Sequence, residues 1–569
     1  MSKQNKPRRQ RVGAPTGTSE KIIKLVKFLA SFQIKNSEDF LKLKQKIVNQ
    51  LAIPLPSNVL ILQIYYNLLK KKKVKKNQFF EKQLKKKPVR SLSGVVVISV
   101  LTKSSTLRRD SSGSSTCPGD CLFCPTEKNL PKSYLSGEPA VERAKQLKFN
   151  PYLQVKRRIE TLEKLGHPTD KIELIVIGGS WSALPKKYQI WFIKECFRGA
   201  NDKKLTTNNQ QLTTKIEKLE QELKKEQKKN EKAKHRIIGI TLETRPDLIT
   251  PEEILMMRKL GCTRVEIGVQ ILDDKILKLN NRGHGIKEII RATQLLKQTG
   301  LKVCYHLMFG LPFSSASKDV SCFKKIFDNQ NFRPDMLKLY PCVITAGSKL
   351  FKLWQRKKYV PLKDRTLINL LVKIKSLIPP YVRVNRVVRD IPSTLIVAGS
   401  KISNLRELIA LTMKKNNLKC RCIRCREVKE SNDFKNFKLV KRNYQASQGK
   451  EIFLSFENQK KNKLVAFLRL RLQNNFSKYF PELKNAALIR EVHTYGIMVP
   501  IGEVLSSSKG KHTKAAQHQG FGKKLIKEAE KIAKKSGFKK IAVIAGVGAR
   551  EYYKKLGYQL ENTYLIKKL

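Results

Sequence analysis

The 569-residue sequence is short of acid: 46 aspartates and glutamates stand against 117 lysines and arginines, a formal net charge of +71. With hydrophobic residues still at 40%, that deficit argues for a folded protein with a polyanionic partner; a lysine-biased but merely solvated surface is the plainer alternative. No uninterrupted apolar run approaches the roughly 18 residues that a membrane span needs. The opening MSKQNKPRRQRVGAPTG also lacks the apolar core of a signal peptide. A soluble, cytoplasmic protein is therefore expected. The sequence further lacks the cysteine spacing of a disulfide framework, because its 11 cysteines gather in two short runs, at 117, 121, 124 and at 420, 422, 425, with the rest scattered. Metal ligation is the better reading of those runs. The length points to two to four domains rather than one.

After the basic opening, EKIIKLVKFLASF, EDFLKLKQKIVNQLA and VLILQIYYNLLKKKK place apolar residues at helical spacing, so residues 20 to 85 are predicted to form a small helical unit with lysine-covered outer faces. From Lys87 the texture changes. The β-branched runs GVVVISVLT (94 to 102), KIELIVIGG (171 to 179), RIIGITLE, TRVEIGVQ, KVCYHLMFG and MLKLYPCVI alternate with helical stretches such as PEEILMMRKLG and IKEIIRATQLLKQTG. This predicts an α/β fold built on a partial parallel barrel. The alternation is interrupted between Asn201 and His235 by KIEKLEQELKKEQKKNEKAKH, where Leu212, Ile216, Leu219 and Leu223 keep a heptad-like seam; a protruding, peripheral helix is expected. From about residue 436, FLSFEN, KLVAFLRLRL, AALIREVHTYG and KKIAVIAGVG read as strands around the amphipathic FGKKLIKEAEKIAKKSG. The expected organisation is a basic helical region at 1–86, a barrel domain at 87–395 with a Lys/Glu-rich insertion at 203–234, a cysteine-containing linker at 396–435 and a smaller α/β domain at 436–569.

The stretch STCPGDCLFCPTEK carries Cys117, Cys121 and Cys124 in the order C-x3-C-x2-C. Thiolates so spaced on one loop can hold three irons of a cubane cluster and leave the fourth iron open. Zinc ligands awaiting a fourth, or buried structural thiols, are other readings of the same spacing. Phe123, the turn at Gly119 and the position after the strand at 94 to 102 fit a cluster loop at the mouth of a barrel. The spacing is similar to the signature of the radical S-adenosylmethionine enzymes. That resemblance implies a [4Fe-4S] cluster whose open iron chelates the amino-acid end of S-adenosylmethionine, and reductive cleavage to a 5′-deoxyadenosyl radical. In that context Gly178 and Gly179, after a strand, let the backbone approach the ligand. Glu243 and Arg245 of ETRPD, with Glu266 and Gln270 of EIGVQ, could reach its ribose and carboxylate, although each could equally be an ordinary strand-end salt bridge.

In the last domain QHQGFG (517 to 522) precedes the amphipathic helix and matches Q-x-x-G-x-G, the pyrophosphate loop that resembles those of GCN5-related (GNAT) acetyltransferases. Free backbone N–H groups and the helix dipole there attract phosphate, and glycine permits close approach. The following strand leads to Tyr552 and Tyr553; in this fold a tyrosine faces the thioester sulfur, and at least one of the pair is a packing residue.

Taken in order, KPVRSLSGVVVISVLT, CPGDCLFCPTEK, PKSYLSGEPAVERA, LGHPTDKIELIVIGG, ITLETRPD, GCTRVEIGVQ, NRGHG, FRPDMLKLYP, RVVRDIP, NLRELIA, CRCIRCREV, REVHTYG, QHQGFG and YYKKLGY resemble the catalytic subunit of the Elongator complex and its single-chain prokaryotic relatives. The resemblance implies carboxymethylation of carbon 5 of the wobble uridine of tRNA with acetyl-coenzyme A as carbon source. It implies that Cys117, Cys121 and Cys124 hold the cluster, and that Lys171 contacts acetyl-coenzyme A in the barrel. In the acetyltransferase domain Glu491, Val492, His493, Thr494, Gln517, Gly520, Phe521, Gly522, Lys523 and Tyr553 are the corresponding contacts, with Lys171 and Tyr553 as catalytic candidates. Two features depart from the pattern: the C-x3-C spacing with a CPTEK continuation, and the 203–234 insertion.

Cys420, Cys422 and Cys425 in CRCIRCREV resemble a zinc-stabilised linker, since thiolates so close either bind a soft metal or are open to oxidation. Cys342 and nearby acidic residues are candidates for a fourth ligand; a metal-free, arginine-rich RNA-contacting loop is the alternative. The expected partners are the tRNA anticodon stem-loop, gripped through phosphates with its uridine unstacked, and an electron donor, with a homodimer or accessory subunits left open. The rival readings are a protein lysine acetyltransferase with a vestigial cluster and a non-catalytic tRNA-binding subunit.

Overall fold

The computed structural model describes residues 16–32, 36–84, 92–104, 117–203, 215–429, 434, 436–474, 479–496, 505–506, 512–513 and 519–569. The sequence-predicted Gln517 and Leu212 lie outside them. The chain divides into two compact units, Met1–Arg90 with Glu160–Pro168, and Ser91–Ile159 with Thr169–Leu569. In the first, helices Thr16–Ser31, Ser37–Gln50, Asn58–Lys70 and Gln78–Leu84 close on Leu25, Val26, Leu29, Phe40, Ile61, Tyr65 and Phe80. The Asn36 and Ser57 side chains accept from the backbone N–H groups of Asp39 and Leu60, capping the second and third helices. No helix among the described residues is long and apolar enough to cross a membrane.

The second unit holds two seven-stranded sheets. The first is parallel throughout and keeps chain order: β1 (Val96–Leu101), β2 (Lys171–Ile177), β3 (Arg236–Thr244), β4 (Cys262–Gln270), β5 (Lys302–Phe309), β6 (Met336–Pro341) and β7 (Arg383–Arg386). Parallel neighbours in chain order, joined through helices, are the build of an open part-barrel whose ligand face is the carboxyl end of its strands. β1 to β6 fall on the six predicted runs; the four-residue β7 had no apolar run to announce it.

The second sheet comprises β8 (Lys438–Ala446), β9 (Gly449–Asn458), β10 (Lys463–Leu472), β11 (Ala486–Thr494), β14 (Lys540–Val543), β15 (Gln559–Glu561) and β16 (Tyr564–Lys568), in the order β15-β16-β14-β11-β10-β9-β8; β12 (Leu505–Ser506) and β13 (His512–Thr513) form a separate ribbon. Only β11 and β14 run parallel, and their pairing stops at Ile489 opposite Val543 while β11 continues to Thr494. The helix Phe521–Lys535 packs across β10, β11 and β14.

The sheets are joined by buried charge. In the β10–β11 ladder Arg469 faces Glu491 but Leu470 faces Ile489, so Arg490 is the extra residue of a bulge. Its guanidinium pairs with both oxygens of Asp335, just before β6, donates to the Leu301 carbonyl at 3.0 Å and reaches Glu451 of β9 at 3.1 Å. Arg471 lies 3.0 Å from Glu451, Arg469 binds Glu491 at 2.9 Å, and Lys297 stands 3.6 Å from both Asp335 and Glu451. Burial alone would raise the Asp335 carboxyl; Arg490, Lys297 and Arg469 instead hold it far below the usual carboxylate range. Burial lowers the Lys297 ammonium to about 8 despite Asp335 and Glu451.

The insertion is not peripheral. Its helix Ile216–Asn230 lies along Lys186–Asn201 with Leu219 and Leu223 buried, so the apolar seam has a partner within the fold. Asn230 accepts from the backbone of Ile237 at 2.8 Å and Gln227 donates to the Lys259 carbonyl at 2.9 Å. Buried Glu231, just beyond the helix, pairs with Arg550 at 3.2 Å and Lys554 at 2.8 Å of the second sheet's last helix.

Two stability predictions result. Asp335→Asn removes the counter-charge held by both Arg490 nitrogens and leaves Arg490, Arg471 and Lys297 to share Glu451; it should cost about 3–5 kcal/mol, read as a lower midpoint of denaturant unfolding. Because the folded-state carboxyls of Asp335 and Glu451 are depressed, their contribution is complete above an unfolded carboxylate value of about 4 and is lost as pH falls through the folded values. In Asp335→Asn the acid limb should therefore be flatter; an unchanged limb would contradict it. Leu219→Ala should cost about 2–5 kcal/mol as a buried truncation, whereas a peripheral helix would tolerate it without a change in melting temperature.

Candidate functional site

The three-cysteine loop sits at the carboxyl ends of the parallel strands, held by residues that follow several of them. Ser180, beyond β2, donates its hydroxyl to Cys117 Sγ at 3.2 Å. Arg282, beyond β4, donates Nη1–H to Cys121 Sγ at 3.2 Å. Leu122 N–H donates to the Asn280 carbonyl, Thr126 N–H to that of Gly347, and Leu350 N–H to that of Leu122. Arg389, beyond β7, donates to the hydroxyl of Ser133 at 3.0 Å, and buried Lys132 donates to the Gly119 carbonyl at 2.7 Å.

This donor set fits a polynuclear metal group. Burial, then the Cys121 and Cys117 sulfurs, push the Cys124 thiol up to about 12, so three thiolates here require a compensating cation. Among the described residues, two sets of three ligand atoms lie within 4.8 Å of one another, Cys420/Cys422/Cys425 and Glu266/Cys304/His306; the loop thiols are not one of them, so at least one pair of their sulfurs lies farther apart. Arg245 Nη1 is buried without a hydrogen-bond partner among the described residues, and lies 2.1 Å from where a Cβ on Gly119 would sit. Gly178, at φ +136°, would drive a Cβ to within 2.0 Å of the Thr102 hydroxyl, so only glycine serves there; Gly179 follows at φ +89°.

Inside the barrel a ladder of paired charge continues inward from the loop. Tyr134 donates to Glu243 at 2.8 Å, Lys338 lies 3.1 Å from Glu243 and also binds Glu266, and His306 Nε2 lies 2.8 Å from Glu266. Arg264 continues from Glu266 at 3.6 Å to Glu173. Burial would raise the Glu266 carboxyl, but Lys338, His306 and Arg264 hold it well below its usual range; burial and Lys338 lower His306, keeping it neutral. Glu266 Oε2 is thus committed to Lys338 and His306 within the barrel, while Oε1 has no hydrogen-bond partner among the described residues. Gln270 ends β4 at φ +67°. Lys171 stands at the opposite end, as the first residue of β2, with Asp170 at 4.0 Å and its ammonium lowered by burial.

The second site lies where β11 parts from β14. Gly520, at φ +76°, caps the helix that begins with Phe521, and among the described residues none beyond its chain neighbours places an atom within 4 Å of where its Cβ would be. Gly522 faces the Tyr552 hydroxyl, with Thr494 and Val492 beyond. Phe521 is a core residue packed against Phe434 and Phe456, so only its backbone is free to serve a ligand; Lys523 is exposed. Tyr553 is buried against Tyr552 and Tyr558, whereas Tyr552 is 40% exposed. Glu491 is bound by Arg469 and lies 3.8 Å from Lys302, and His493 Nε2 lies 2.8 Å from the Ser93 carbonyl that precedes β1. His493 is lowered by burial and is therefore neutral, its Nε2–H donating.

The Cys420, Cys422 and Cys425 sulfurs converge within 4.8 Å, with Lys375 Nζ 3.6 Å from Cys425. Cys342, considered from sequence as a fourth ligand, is buried against Tyr359 and is not one of this group. Sequence reasoning also missed Ser180, Arg282, His306, Lys338 and Arg389 as site residues, although all but Ser180 lay in quoted stretches: Arg282 in NRGHG, His306 in KVCYHLMFG, Lys338 in FRPDMLKLYP and Arg389 in RVVRDIP.

The chain matches the Radical SAM superfamily over residues 111–318, the Radical_SAM C-terminal domain over 334–415 and the Acetyltransferase (GNAT) family over 423–558. It is 44% identical over 501 residues to a tRNA uridine(34) acetyltransferase of Methanocaldococcus infernus, covering 85% of this chain and 88% of that protein. Identity to the Elongator complex protein 3 of Homo sapiens is 37% over 504 residues, covering 86% of each chain. A solved structure of the archaeal Elongator protein 3 of Methanocaldococcus infernus, lacking its N-terminus, superposes with a TM-score of 0.69 at 41% identity, covering 84% of this chain and all of that one. A parallel part-barrel carrying a three-cysteine loop, an acetyltransferase sheet fused to it, and relatives that share both along most of their length place the chain in the family of tRNA uridine(34) acetyltransferases and Elongator complex protein 3.

Proposed function

We propose that this chain replaces the hydrogen on carbon 5 of the tRNA wobble uridine with a carboxymethyl group derived from acetyl-coenzyme A. The observation that carries the reading is the presence, in one compact unit, of a three-thiol loop at the carboxyl end of a parallel barrel and of a glycine-capped helix N-terminus beside a parting of strands. Cys117, Cys121 and Cys124 would hold a [4Fe-4S] cluster. When bound, cluster and S-adenosylmethionine together supply a deoxyadenosyl radical able to take a hydrogen atom from the acetyl methyl group. In the overall exchange that hydrogen leaves on 5′-deoxyadenosine, and water releases coenzyme A from the thioester. The uridine C5 hydrogen departs as a proton, its electron returning to the donor.

The residues divide the remaining work. Arg245, whose Nη1 has no hydrogen-bond partner among the described residues, and the Gly178–Gly179 turn would receive S-adenosylmethionine; Glu243 accepts from Tyr134 and pairs with Lys338, so its reach depends on those two. In the acetyltransferase sheet the β11 segment Glu491–Thr494 would contact acetyl-coenzyme A through its backbone, because the Glu491 and His493 side chains are already engaged. Backbone N–H groups of Gly520 to Lys523 would take the pyrophosphate. Tyr552, whose hydroxyl faces Gly522, joins Tyr553 and Lys171 as a candidate to position the thioester. Cys420, Cys422 and Cys425 would bind zinc and stiffen the linker. Lysine-rich helices and the barrel mouth would supply phosphate contacts for tRNA, and the target base must leave its stack.

Cys124→Ala, which leaves two thiolates for a cubane, should abolish deoxyadenosine and carboxymethyluridine while acetyl-coenzyme A still binds. Gly522→Glu places a carboxylate at the phosphate-facing helix end, with its Cβ 3.2 Å from the Tyr552 hydroxyl; coenzyme binding should weaken by about tenfold or more while cluster absorbance persists. Nucleoside mass spectrometry, cluster absorbance and coenzyme titration on the same samples decide it. Carboxymethyluridine made by Cys124→Ala would overturn the radical reading.

A further inference from the structure

We propose that Arg282 sets the reduction potential of the cluster loop through a charged hydrogen bond to one of its three thiolates, that of Cys121. The inference rests on the reading of that loop as the [4Fe-4S] site and goes beyond it, because it assigns the potential to a residue that is no ligand.

The three cysteines are not treated alike. Cys117 receives a neutral hydroxyl donor from Ser180, and Cys124 neighbours Ser133, whose hydroxyl is in turn held by Arg389. Cys121 has a guanidinium bonded directly to its sulfur, at 3.2 Å, from a residue only 6% exposed. Sequestered from water, that positive charge acts on the sulfur with little screening.

The guanidinium is held in place rather than merely near. Nη2–H donates to the Gly268 carbonyl at 2.7 Å, and a Cβ at Gly268 would come within 2.4 Å of that nitrogen, so the strand yields the space. The Arg282 carbonyl accepts from Arg245 Nη2 at 2.8 Å, and its N–H donates to the Leu277 carbonyl at 3.0 Å. Arg245 is itself anchored on Asp247 at 3.0 Å. One arginine therefore clamps the backbone of the other, and the free prong of Arg282 is left for the thiolate.

The couple is the one-electron reduction of [4Fe-4S]2+ to [4Fe-4S]1+, which adds negative charge that spreads onto the thiolate sulfurs. A cationic donor on a sulfur stabilises the more negative state and raises the potential. Removing it should make the cluster harder to reduce. If Arg282 is only a strut between the loop and β4, the potential has no reason to move.

The test uses the full chain, reconstituted anaerobically with iron and sulfide, as wild type, Arg282→Gln and Arg282→Lys. Iron and sulfide contents are measured first. The midpoint potential is then read by electron paramagnetic resonance at potentials poised with low-potential dyes, which supply the electron. Arg282→Gln is expected to have a more negative midpoint than wild type at matched iron content, with Arg282→Lys, which keeps the charge and loses the planar fork, between them. An unshifted midpoint in Arg282→Gln at full iron content overturns the proposal. Should Arg282→Gln take up too little iron, the neutral Arg282→Met decides: a negative shift at matched iron content supports the assignment and a wild-type potential refutes it. A wild-type chain that binds no four-iron cluster would refute the reading of the loop itself, and with it this inference.

Discussion

An ionised side chain out of water is tolerable only beside its opposite, and the whole second unit depends on that constraint being met at one place. Arg490, Arg471, Arg469 and Lys297 surround Asp335, Glu451 and Glu491, all at or near zero exposure except Glu491. The cluster joins the amino ends of the parallel strands to the face of the acetyltransferase sheet. Apolar residues would pack there with less desolvation cost. Charges with fixed partners, unlike apolar residues, also fix the register of one sheet on the other, so the seam is read as a device for specificity of docking.

That seam has a consequence for chemistry. The bulge that turns Arg490 into it lies on β11, the same strand that separates from β14 to open the edge beside Gly520 and Gly522. Next along β11, Glu491 and His493 face Arg469 and the Ser93 carbonyl, and from Glu173 the charged ladder of Arg264, Glu266, Lys338 and Glu243 runs up the barrel interior towards Tyr134 and the cysteine loop. The buried helix of the insertion adds a second tie through Glu231, Arg550 and Lys554. Binding edge, seam and barrel floor are parts of one packed body.

What could be read from sequence followed from how local each signal is. Six barrel strands, the three loop cysteines and the glycine-capped helix all announce themselves within a few residues, through β-branched runs, ligand spacing and a turn. The residues that condition the site do not. Ser180, Arg282 and Arg389 come to the loop region only because β2, β4 and β7 all end on the same rim of the part-barrel, and His306 and Lys338 are ordinary strand residues until the sheet pairs them on adjacent strands. Leu219 and Leu223 were visible as a seam, yet their partners on Lys186–Asn201 were not, and a Lys/Glu-rich surface suggested solvent. Phe521 shows the reverse: it lies in the motif, but its side chain packs into the core against Phe434 and Phe456 and leaves only its backbone available to a ligand.

The central claim is that the two sites act on one reaction, carbon passing from an acetyl thioester to uridine by hydrogen-atom abstraction. Incubation of the reconstituted chain with tRNA, S-adenosylmethionine, a reductant and acetyl-coenzyme A deuterated in its methyl group tests it most directly, by mass spectrometry of nucleosides and of 5′-deoxyadenosine. The account predicts deuterium in 5′-deoxyadenosine and a carboxymethyluridine whose methylene keeps the remaining deuterons. Carboxymethyluridine formed while 5′-deoxyadenosine stays free of deuterium would contradict it.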